Sequence, residues 1–441
     1  MKNKPTILII FGVSGDLSKR YLLPAIGAIA EAQMLPTEFK ILGLTRQMDI
    51  EIKTLLQKTK NADYLAKHLS LRHLEVDSLP DYLKLGEHLA EMAKEFTEPP
   101  QYVFYLSVPP QVSRSIIELL GQAGLADKEE TKLLLEKPFG VDLADAKELS
   151  KHIDLYFKPS QVYRVDHYLA KETAQNIIVF RDGNSLFKRT WNKDFIKSIE
   201  VVASEEIGIE GRANFYEQTG ALRDIVQSHL MQLLALILMK LPEDEKYSQV
   251  PELRLEALKQ LKVTNLERQK RGQYQGYRQE VKNEDSFVET FVSLTLESID
   301  PNWQGVPLTL TTGKALKNKF TEIRIQYNKE KEHESNELLL QLQPKEEIEF
   351  NMWAKQPGYE HKVSPHTLSF KYKEHYEILP QAYEQVLYNA INSDHSLFTS
   401  RDEILEAWRI LDTIQKSWQT DGQGLFIYDK GQSPEEIVSQ F

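Results

Sequence analysis

Cysteine is absent from the 441 residues of this sequence. Without thiols, the chain cannot form disulfides, thiolate nucleophiles, iron–sulfur clusters or zinc–thiolate sites. Long apolar runs are scarce as well: the longest, near residues 230–239, is interrupted by Gln232 and is too short to span a bilayer. The first residues pass directly into a predicted strand and do not resemble a signal peptide. We therefore expect a soluble, cytoplasmic chain without a membrane anchor.

Positive charge is in the minority, since 54 Lys and Arg stand against 65 Asp and Glu, for a formal net charge of −11. This balance argues against non-specific binding to nucleic acids or anionic membranes. An anionic ligand must therefore be held by a local group of cations. Hydrophobic residues make up 41% of the chain, which is typical of a globular protein, and the length allows two domains.

The order of predicted elements differs between the two parts of the chain. In the first part, short apolar strands at residues 6–11, 40–44, 102–106 and 132–135 alternate with helical segments, which predicts a doubly wound parallel sheet. From about residue 190, β-like segments separated by turns predict a large, mainly antiparallel sheet, with helices at 216–239 and 401–418. We predict an α/β domain at residues 1–165 and an α+β domain at residues 166–441.

A glycine-containing turn follows the first strand. Gly12 and Gly15 allow the backbone to approach a pyrophosphate, and the next helix presents free N–H groups, so a Rossmann-like dinucleotide-binding domain is predicted. The alternative is a tight turn without a ligand, because the pattern departs from the usual dinucleotide motif. After the second strand, Thr45 and Arg46 stand where NAD-specific domains carry an acidic residue. This favours NADP, although a surface arginine without a ligand is the alternative.

Ionisable residues are concentrated at residues 164–172, which predicts a binding pocket near the domain boundary, since a core segment would not tolerate them unpaired. A second candidate segment, at 220–232, is predicted to be a helix that carries Asp224, Ser228 and His229 beside an apolar stripe. A lone helical histidine is more often a satisfied core or surface residue, so this one needs a partner from elsewhere. Lys137 stands at the carboxyl end of the fourth predicted strand.

Together these motifs resemble the glucose-6-phosphate dehydrogenase family, in its bacterial form, over nearly the whole chain. The family pattern Arg-Ile-Asp-His-Tyr-Leu-Gly-Lys-Glu matches residues 164–172 except at Val165 and Ala170. Glu-Lys-Pro-Phe-Gly matches residues 136–140 in full, and Gly-Ala-Ser-Gly-Asp-Leu matches residues 12–17 except at Val13. The family's Asn-His-x-x-Gln becomes residues 228–232, with Ser228 in place of Asn as the departure nearest to the chemistry.

The resemblance implies oxidation of C1 of glucose 6-phosphate to 6-phosphoglucono-δ-lactone, the first step of the oxidative pentose phosphate pathway, with hydride transfer to NADP and no metal. It implies that His229 is the general base and that Asp166 orients it. The implied substrate-binding residues are His167, Tyr168, Lys171, Glu205, Asp224, Lys137, Lys314 and Lys319. The implied cofactor-binding residues are Gly12, Ser14, Gly15, Asp16, Leu17, Arg46, Lys137 and Pro109.

Two alternative functions remain open: another NADP-dependent sugar or aldehyde dehydrogenase, and a non-catalytic NADP-binding regulator. The phosphate-binding cluster at 167–171 argues against an uncharged sugar, and the presence of both His229 and Asp166 argues against a regulator. NAD is expected as a weaker alternative cofactor. The resemblance also implies a homodimer formed through the second domain's sheet. Thr311 and Gln341 stand where animal members have basic residues near a second NADP, so we expect none.

Overall fold

The computed structural model describes residues 4–47, 49–57, 59–127, 130–243, 246–329, 335–419 and 424–441. The chain forms two compact units, which we call unit 1 and unit 2. Unit 1 consists of Met1–Gly140, Ala144–Ala170 and Pro380–Arg401. Unit 2 consists of Val141–Leu143, Lys171–Leu379 and Asp402–Phe441.

The strands fall into two sheets, one in each unit. In chain order they are β1 (Thr6–Phe11), β2 (Phe39–Thr45), β3 (Leu69–His73), β4 (Gln101–Leu106), β5 (Thr131–Leu135), β6 (Val162–Val165), β7 (Ile196–Ser204), β8 (Leu261–Lys262), β9 (Lys270–Tyr274), β10 (Phe291–Ser298), β11 (Leu308–Gly313), β12 (Phe320–Tyr327), β13 (Glu337–Gln343), β14 (Glu347–Lys355), β15 (Val363–Lys371), β16 (Phe398–Thr399) and β17 (Leu425–Tyr428).

The α-helices are α1 (Leu23–Glu31), α2 (Ile52–Leu55), α3 (Ala62–His68), α4 (Leu79–Ala93), α5 (Pro110–Gln122), α6 (Leu143–Asp154), α7 (Glu172–Gly183), α8 (Ser185–Thr190), α9 (Ala213–Ala221), α10 (Met231–Leu238), α11 (Val250–Lys259), α12 (Tyr277–Val281), α13 (Tyr372–His375), α14 (Ala382–Ile391), α15 (Arg401–Gln419) and α16 (Pro434–Val438). Two π-helical segments, Ser18–Leu22 and Leu222–Leu230, precede α1 and α10.

The sheet of unit 1 has the order β16-β6-β5-β4-β1-β2-β3. All neighbouring strands are parallel except β16, which pairs antiparallel with β6. Every residue of β1, β4 and β5 is buried, as expected for parallel strands covered on both faces. This confirms the predicted doubly wound α/β domain. Because β1 and β4 are neighbours in parallel register, the loops after Phe11 and Leu106 lie side by side.

Residues 380–401 belong to unit 1, and this differs from the predicted division at residue 165, which assigned everything after it to the second domain. Val386, Leu387 and Ala390 of α14 are buried in the same hydrophobic cluster as the strands of unit 1. The strand β16 extends the sheet by pairing with β6. The sequence of an amphipathic helix shows which face is buried but not which hydrophobic core that face packs against. The return of the chain to unit 1 at residues 380–401 was therefore not predicted.

The sheet of unit 2 follows the order β15-β14-β13-β12-β7-β11-β10-β9-β17, and β8 pairs with β10 beside this path. Two pairs are parallel, β11 with β7 and β17 with β9, while the remaining pairs are antiparallel. The predicted large, mainly antiparallel sheet is therefore confirmed, with parallel pairing where the chain returns to the sheet through longer connections.

The helix predicted at 216–239 is interrupted in unit 2. Gly220 has φ +64° and ψ 173°, which breaks the helical backbone before the π-helical segment begins at Leu222. By length and composition alone, Ala213–Leu238 would be apolar enough to cross a membrane, and 83% of its apolar window is buried inside the fold. Such burial is typical of the central helix of a globular domain.

Candidate active site

The turn after β1 places backbone groups, not side chains, at the carboxyl edge of the parallel sheet. Gly12 has φ +74°, and its N–H donates to the Leu44 carbonyl at 3.0 Å. A Cβ at Gly12 would lie 2.4 Å from the Ser107 carbonyl oxygen, so only glycine fits. The Gly15 N–H donates to the Gly12 carbonyl at 2.9 Å, which closes the turn. The result is a cradle without a side chain, as close approach of a pyrophosphate requires.

The end of β2 contacts this turn. The hydroxyls of Ser14 and Thr45 lie 3.2 Å apart, so the two loops form one polar surface. Thr45 is buried and its hydroxyl accepts from the Gln47 N–H at 3.1 Å, whereas the next residue, Arg46, is exposed. The structure thus brings two predicted cofactor residues, Ser14 and Arg46, to the same pair of loops as the glycine turn. The exposed guanidinium is positioned by a strand end, which is where a 2′-phosphate is recognised in such sheets.

Other predicted cofactor residues lie around the same edge. Asp16 is exposed and forms an ion pair with Arg20 at 3.2 Å, one helical turn away. Leu17 is half-buried and packs against the core of unit 1. Pro109 is exposed at the start of α5, in the loop that follows β4. These three residues therefore lie around the glycine turn, at the edge where a ligand of a parallel sheet binds.

Lys137 directly follows Glu136, whose carboxylate belongs to a hydrogen-bonded cluster that the sequence did not predict. Glu136, at the end of β5, accepts a hydrogen bond from the Tyr105 hydroxyl at 2.5 Å. Tyr383 of α14 is a second hydrogen-bond partner of the same carboxylate. Burial raises the pKa of Glu136 to about 7, and the two tyrosines and the charge of Lys137 oppose that rise. The peptide bond between Lys137 and Pro138 is cis.

The nine-residue motif begins in β6 and passes out of the sheet of unit 1. Asp166 is 3% exposed, and its Oδ1 accepts from the Tyr168 N–H at 2.9 Å. The ring of His167 lies 4.8 Å from that of Tyr168 and stacks near Tyr383 at 6.3 Å. The motif is therefore folded tightly on itself, with His167 the more accessible side chain. Lys171, at the N-terminal end of α7, already belongs to unit 2.

In unit 2, an ion pair joins two predicted substrate residues, a buried lysine and a half-buried glutamate. The Nζ of Lys314, in the turn after β11, bonds the carboxylate of Glu205, which directly follows the neighbouring strand β7. Lys314 is 1% exposed, and its Nζ lies 5.1 Å from the ring centre of Tyr216. Backbone bonds fix the pair, since the Glu205 N–H donates to the Gly313 carbonyl and the Leu316 N–H to the Glu205 carbonyl, both at 2.9 Å.

The predicted base lies on the π-helical segment of unit 2. His229 is 1% exposed, and Ser228 donates its hydroxyl hydrogen to the Asp224 carbonyl at 3.0 Å. The negative charges of Asp224 and Glu205 both raise the pKa of Tyr216, after the larger effect of burial. The structure thus gathers Asp224, Glu205 and Lys314 around one tyrosine. π-helical turns occur frequently at functional sites.

Two predictions lie apart from these groupings. Lys319 is exposed in the turn that directly precedes β12. Asp166 belongs to unit 1 and His229 to unit 2, so their predicted pairing stays a prediction. Among the described residues, no group of three or more His, Asp and Glu side chains could hold a metal ion.

Sequence reasoning missed four residues of these clusters: Glu136, Tyr105, Tyr216 and Tyr383. Glu136 was noted only as part of a motif, Tyr105 and Tyr216 only as parts of a predicted strand and a predicted helix, and Tyr383 lies in a segment without a recognised pattern. For Tyr105 and Tyr383, the available signal was that a buried tyrosine usually has a partner for its hydroxyl and so indicates a polar contact. Nothing in the sequence shows which contact it is.

Comparison with known proteins shows the family to which this chain belongs. The description of the glucose-6-phosphate dehydrogenase NAD-binding domain matches residues 9–176, and that of the C-terminal domain of the same family matches residues 178–440. The chain belongs to the glucose-6-phosphate dehydrogenase family. A glucose-6-phosphate 1-dehydrogenase of Chlamydia muridarum is 33% identical over 458 residues, which cover 94% of this chain and 90% of that protein.

Solved structures of this family have the same fold. One, a glucose-6-phosphate dehydrogenase in complex with its substrate glucose-6-phosphate, has a TM-score of 0.93 and 30% identity, covering 99% of this chain and 97% of that one. The enzyme from Mycobacterium avium has a TM-score of 0.84 and 28% identity, covering 99% and 96%. The resemblance, the fold class and the assignment to the oxidoreductases are confirmed, while the roles of single residues stay predictions.

Proposed function

We propose that this chain oxidises C1 of glucose 6-phosphate to 6-phosphoglucono-δ-lactone, with NADP as the hydride acceptor, in the first step of the oxidative pentose phosphate pathway. Its family membership gives the reaction. The observation that carries the site is the buried Lys314–Glu205 pair beside Tyr216, with Asp224 close to the same ring. A buried cation next to carboxylates suits a phosphorylated polyol, because phosphate and hydroxyl groups need partners of both signs.

The cofactor proposal rests on the loops of unit 1. The tight turn at Gly12 and Gly15 would let the pyrophosphate lie close to the backbone, and Arg46 with Thr45 and Ser14 would hold the 2′-phosphate. A Cβ at Gly12 would meet the Ser107 carbonyl oxygen at 2.4 Å, so this turn requires glycine there. When bound, NADP supplies the acceptor for the hydride, so the protein has only to orient and deprotonate the substrate. NAD would bind more weakly, because Arg46 has no matching role for the ribose hydroxyls.

The substrate proposal divides the predicted residues by chemistry. His167, Tyr168, Lys171 and Lys314 would bind the 6-phosphate through charge-assisted hydrogen bonds, and Lys319 could add a distant positive charge. Glu205 and Asp224 would accept hydrogen bonds from sugar hydroxyls. Lys137 would lie between the substrate and the nicotinamide. Because Lys314 and Glu205 are already paired, they would bind the substrate with little side-chain reorganisation.

Proton transfer would fall to His229. An imidazole titrates near neutrality, so it can accept the C1 hydroxyl proton as the hydride departs. Its burial, 1% exposed, keeps bulk water from competing for that proton. Asp166 would accept a hydrogen bond from the other ring nitrogen, fix the tautomer and stabilise the imidazolium. We propose this pairing of Asp166 with His229 as a mechanistic hypothesis.

The experiment that tests the function is a spectrophotometric assay of NADPH formation. The protein is mixed with NADP and, in separate samples, with glucose 6-phosphate, glucose and a phosphorylated aldehyde. We expect NADPH only with glucose 6-phosphate. Comparable rates with glucose would favour a different sugar dehydrogenase. NADP binding without turnover of any of these compounds would favour the non-catalytic regulator.

Assembly and location complete the proposal. We propose a homodimer formed through the sheet of unit 2, in the cytoplasm. The edge strand β15, which has a run of exposed residues, offers a surface for such pairing. Thr311 is buried and its hydroxyl contacts that of Ser293 at 3.2 Å, so it offers no cation for a second NADP. Light scattering should give a dimer, and equilibrium dialysis should give one NADP per chain.

A further inference from the structure

Two neighbouring residues of unit 2, Glu289 and Thr290, lie between the helix of the proposed base and the turn of Lys314. They immediately precede β10, and neither was singled out by the sequence. The Glu289 carbonyl accepts from the Ala221 N–H at 2.9 Å, and its carboxylate Oε1 accepts from the Leu222 N–H at 3.0 Å. Both donors stand at the start of the π-helical segment that carries Asp224 and His229.

Thr290 makes the corresponding contacts on the other side. Its carbonyl accepts from the Lys314 N–H at 2.9 Å. Its hydroxyl accepts from the Tyr274 N–H at 2.9 Å and lies 2.9 Å from the Tyr428 hydroxyl. That phenol in turn contacts the Lys314 carbonyl at 2.7 Å. Thr290 is fully buried, so the turn of Lys314 is fixed to the same dipeptide as the helix.

Gly220 shows that the contact with the helix is close. It has φ +64°, and a Cβ there would come within 2.5 Å of the Glu289 Oε1. The backbone therefore turns at Gly220 in a conformation that favours glycine and leaves room for the carboxylate to reach the Leu222 N–H. The N-cap residue of the segment, Ala221, makes no side-chain capping hydrogen bond. The carboxylate thus takes the part of a helix cap supplied from a distant strand.

We propose that Glu289 is a positioning residue, which caps the π-helical segment from a distance and so holds Asp224 and His229 at a fixed place relative to Lys314. The idea rests on the proposed function of His229. What matters is an acceptor oxygen at this place, whether the side chain is charged or neutral. Arg223 and Arg271 act on the carboxylate electrostatically, yet the contact to the helix is a hydrogen bond from a backbone N–H.

Three variants separate this role from a merely structural one. Glu289→Ala removes the acceptor, so we expect kcat to fall on the order of ten- to a hundredfold, the range for a small displacement of catalytic groups. The Michaelis constant for NADP should stay the same, since unit 1 is untouched. Glu289→Gln keeps an acceptor oxygen and should restore kcat to within about threefold of wild type. Gly220→Ala, which displaces the carboxylate, should resemble Glu289→Ala.

Glu297→Ala is the matched control. It removes a partly buried carboxylate from the far end of β10, the strand that Glu289 precedes, where Glu297 accepts a hydrogen bond from the Thr264 hydroxyl. It should leave kcat unchanged. If Glu289→Ala does not fold, Glu289→Met, which fills the space without an acceptor, takes its place. Unchanged kcat in the folded acceptor-free variant would overturn the proposal. An equal loss in Glu289→Gln would overturn it as well, since charge and not the hydrogen bond would then be responsible.

Hydrogen exchange gives a readout that does not depend on activity. In the acceptor-free variant, the amides of Ala221 and Leu222 should exchange at least about tenfold faster than in wild type, while amides of α15 keep their rates. Unchanged exchange at these two amides would contradict the capping role even if turnover fell. An inactive wild type with faster exchange in the variant would instead mean that the proposed function is wrong and the cap is real.

Discussion

The predicted cofactor-binding residues on the loops of unit 1 differ in exposure from two predicted site residues of unit 2, His229 and Lys314. In unit 1, Arg46, Asp16 and Pro109 are exposed on loops that follow parallel strands, and a backbone turn at Gly12 forms the cradle. In unit 2, His229 and Lys314 are each 1% exposed. The fold of unit 2 fixes these two groups before any ligand arrives, whereas unit 1 has exposed side chains at the edge of its sheet.

The difference has an energetic consequence. Removing an exposed side chain costs only the contact that it makes with the ligand, because water replaces it in the free protein. Removing a buried ionisable group also leaves its former partner without a hydrogen bond, which costs about 1–3 kcal/mol or more for a charged group. Substitution of Lys314 should therefore change stability and binding together, while substitutions on the loops of unit 1 should change binding alone.

The largest effect is expected from His229→Asn. Turnover should fall by roughly two orders of magnitude or more, the usual scale for loss of a general base, while affinity for glucose 6-phosphate is retained. Steady-state kinetics and substrate binding by calorimetry measure the two quantities. His375→Asn, at an exposed histidine of α13, is the control. Near-normal turnover of His229→Asn would show that another group accepts the proton.

The second effect concerns the buried ion pair. Lys314→Met should raise the Michaelis constant for glucose 6-phosphate by about tenfold or more, the range for a lost charge-assisted hydrogen bond. It should also lower the free energy of unfolding by about 1–3 kcal/mol, because Glu205 loses its partner. Denaturant unfolding measures the stability. Lys317→Met, at an exposed lysine of the same turn, should change neither quantity. A change in glucose 6-phosphate binding without any loss of stability in Lys314→Met would contradict the proposed difference between the two units.

The third effect is selective for one cofactor. Arg46→Ala should weaken NADP binding by roughly ten- to a hundredfold, or about 1.5–3 kcal/mol, and leave NAD binding and the thermal midpoint nearly unchanged. The ratio of kcat/KM for the two cofactors, with Lys53→Ala as an exposed-cation control, measures it. If that ratio does not move toward NAD, the 2′-phosphate is recognised elsewhere.

The smallest effect is a pH dependence of stability from Glu136. Its pKa is raised to about 7 in the folded chain, so the folded state holds the proton more tightly than the unfolded state does. The resulting stabilisation is complete below about pH 4.5 and is lost as the pH rises through about 7. Glu136→Gln should therefore show a smaller fall in thermal midpoint between about pH 5 and about pH 8 than wild type. An identical fall in both proteins would assign the dependence to other groups.

Much of the fold could be predicted because buried parallel strands leave a plain apolar signal. The predicted strands at 6–11, 40–44, 102–106 and 132–135 correspond to β1, β2, β4 and β5 within one residue at each end. The strand β6 was missed because Tyr163 and Arg164 interrupt the apolar pattern, although both are buried. The predicted helix at 216–239 was too regular, since Gly220 breaks the backbone there.

The candidate site was predictable only as far as short motifs extend. The nine-residue motif and the glycine turn are local, so their residues could be named. The clusters around Glu136 and Tyr216 combine residues from three or more distant segments. No local pattern in the sequence indicates that these segments lie close together in the fold. The same holds for Glu289, whose role depends on a backbone N–H that lies 67 residues away in sequence.

The different roles of the two units can be tested most directly by measuring initial rates over a matrix of glucose 6-phosphate and NADP concentrations. The proteins to compare are wild type, Arg46→Ala and Lys314→Met. We predict that Arg46→Ala raises only the Michaelis constant for NADP and that Lys314→Met raises only the one for glucose 6-phosphate. Wild type should form NADPH throughout the matrix. A rise of both constants in either variant, or no NADPH from wild type, would contradict the account.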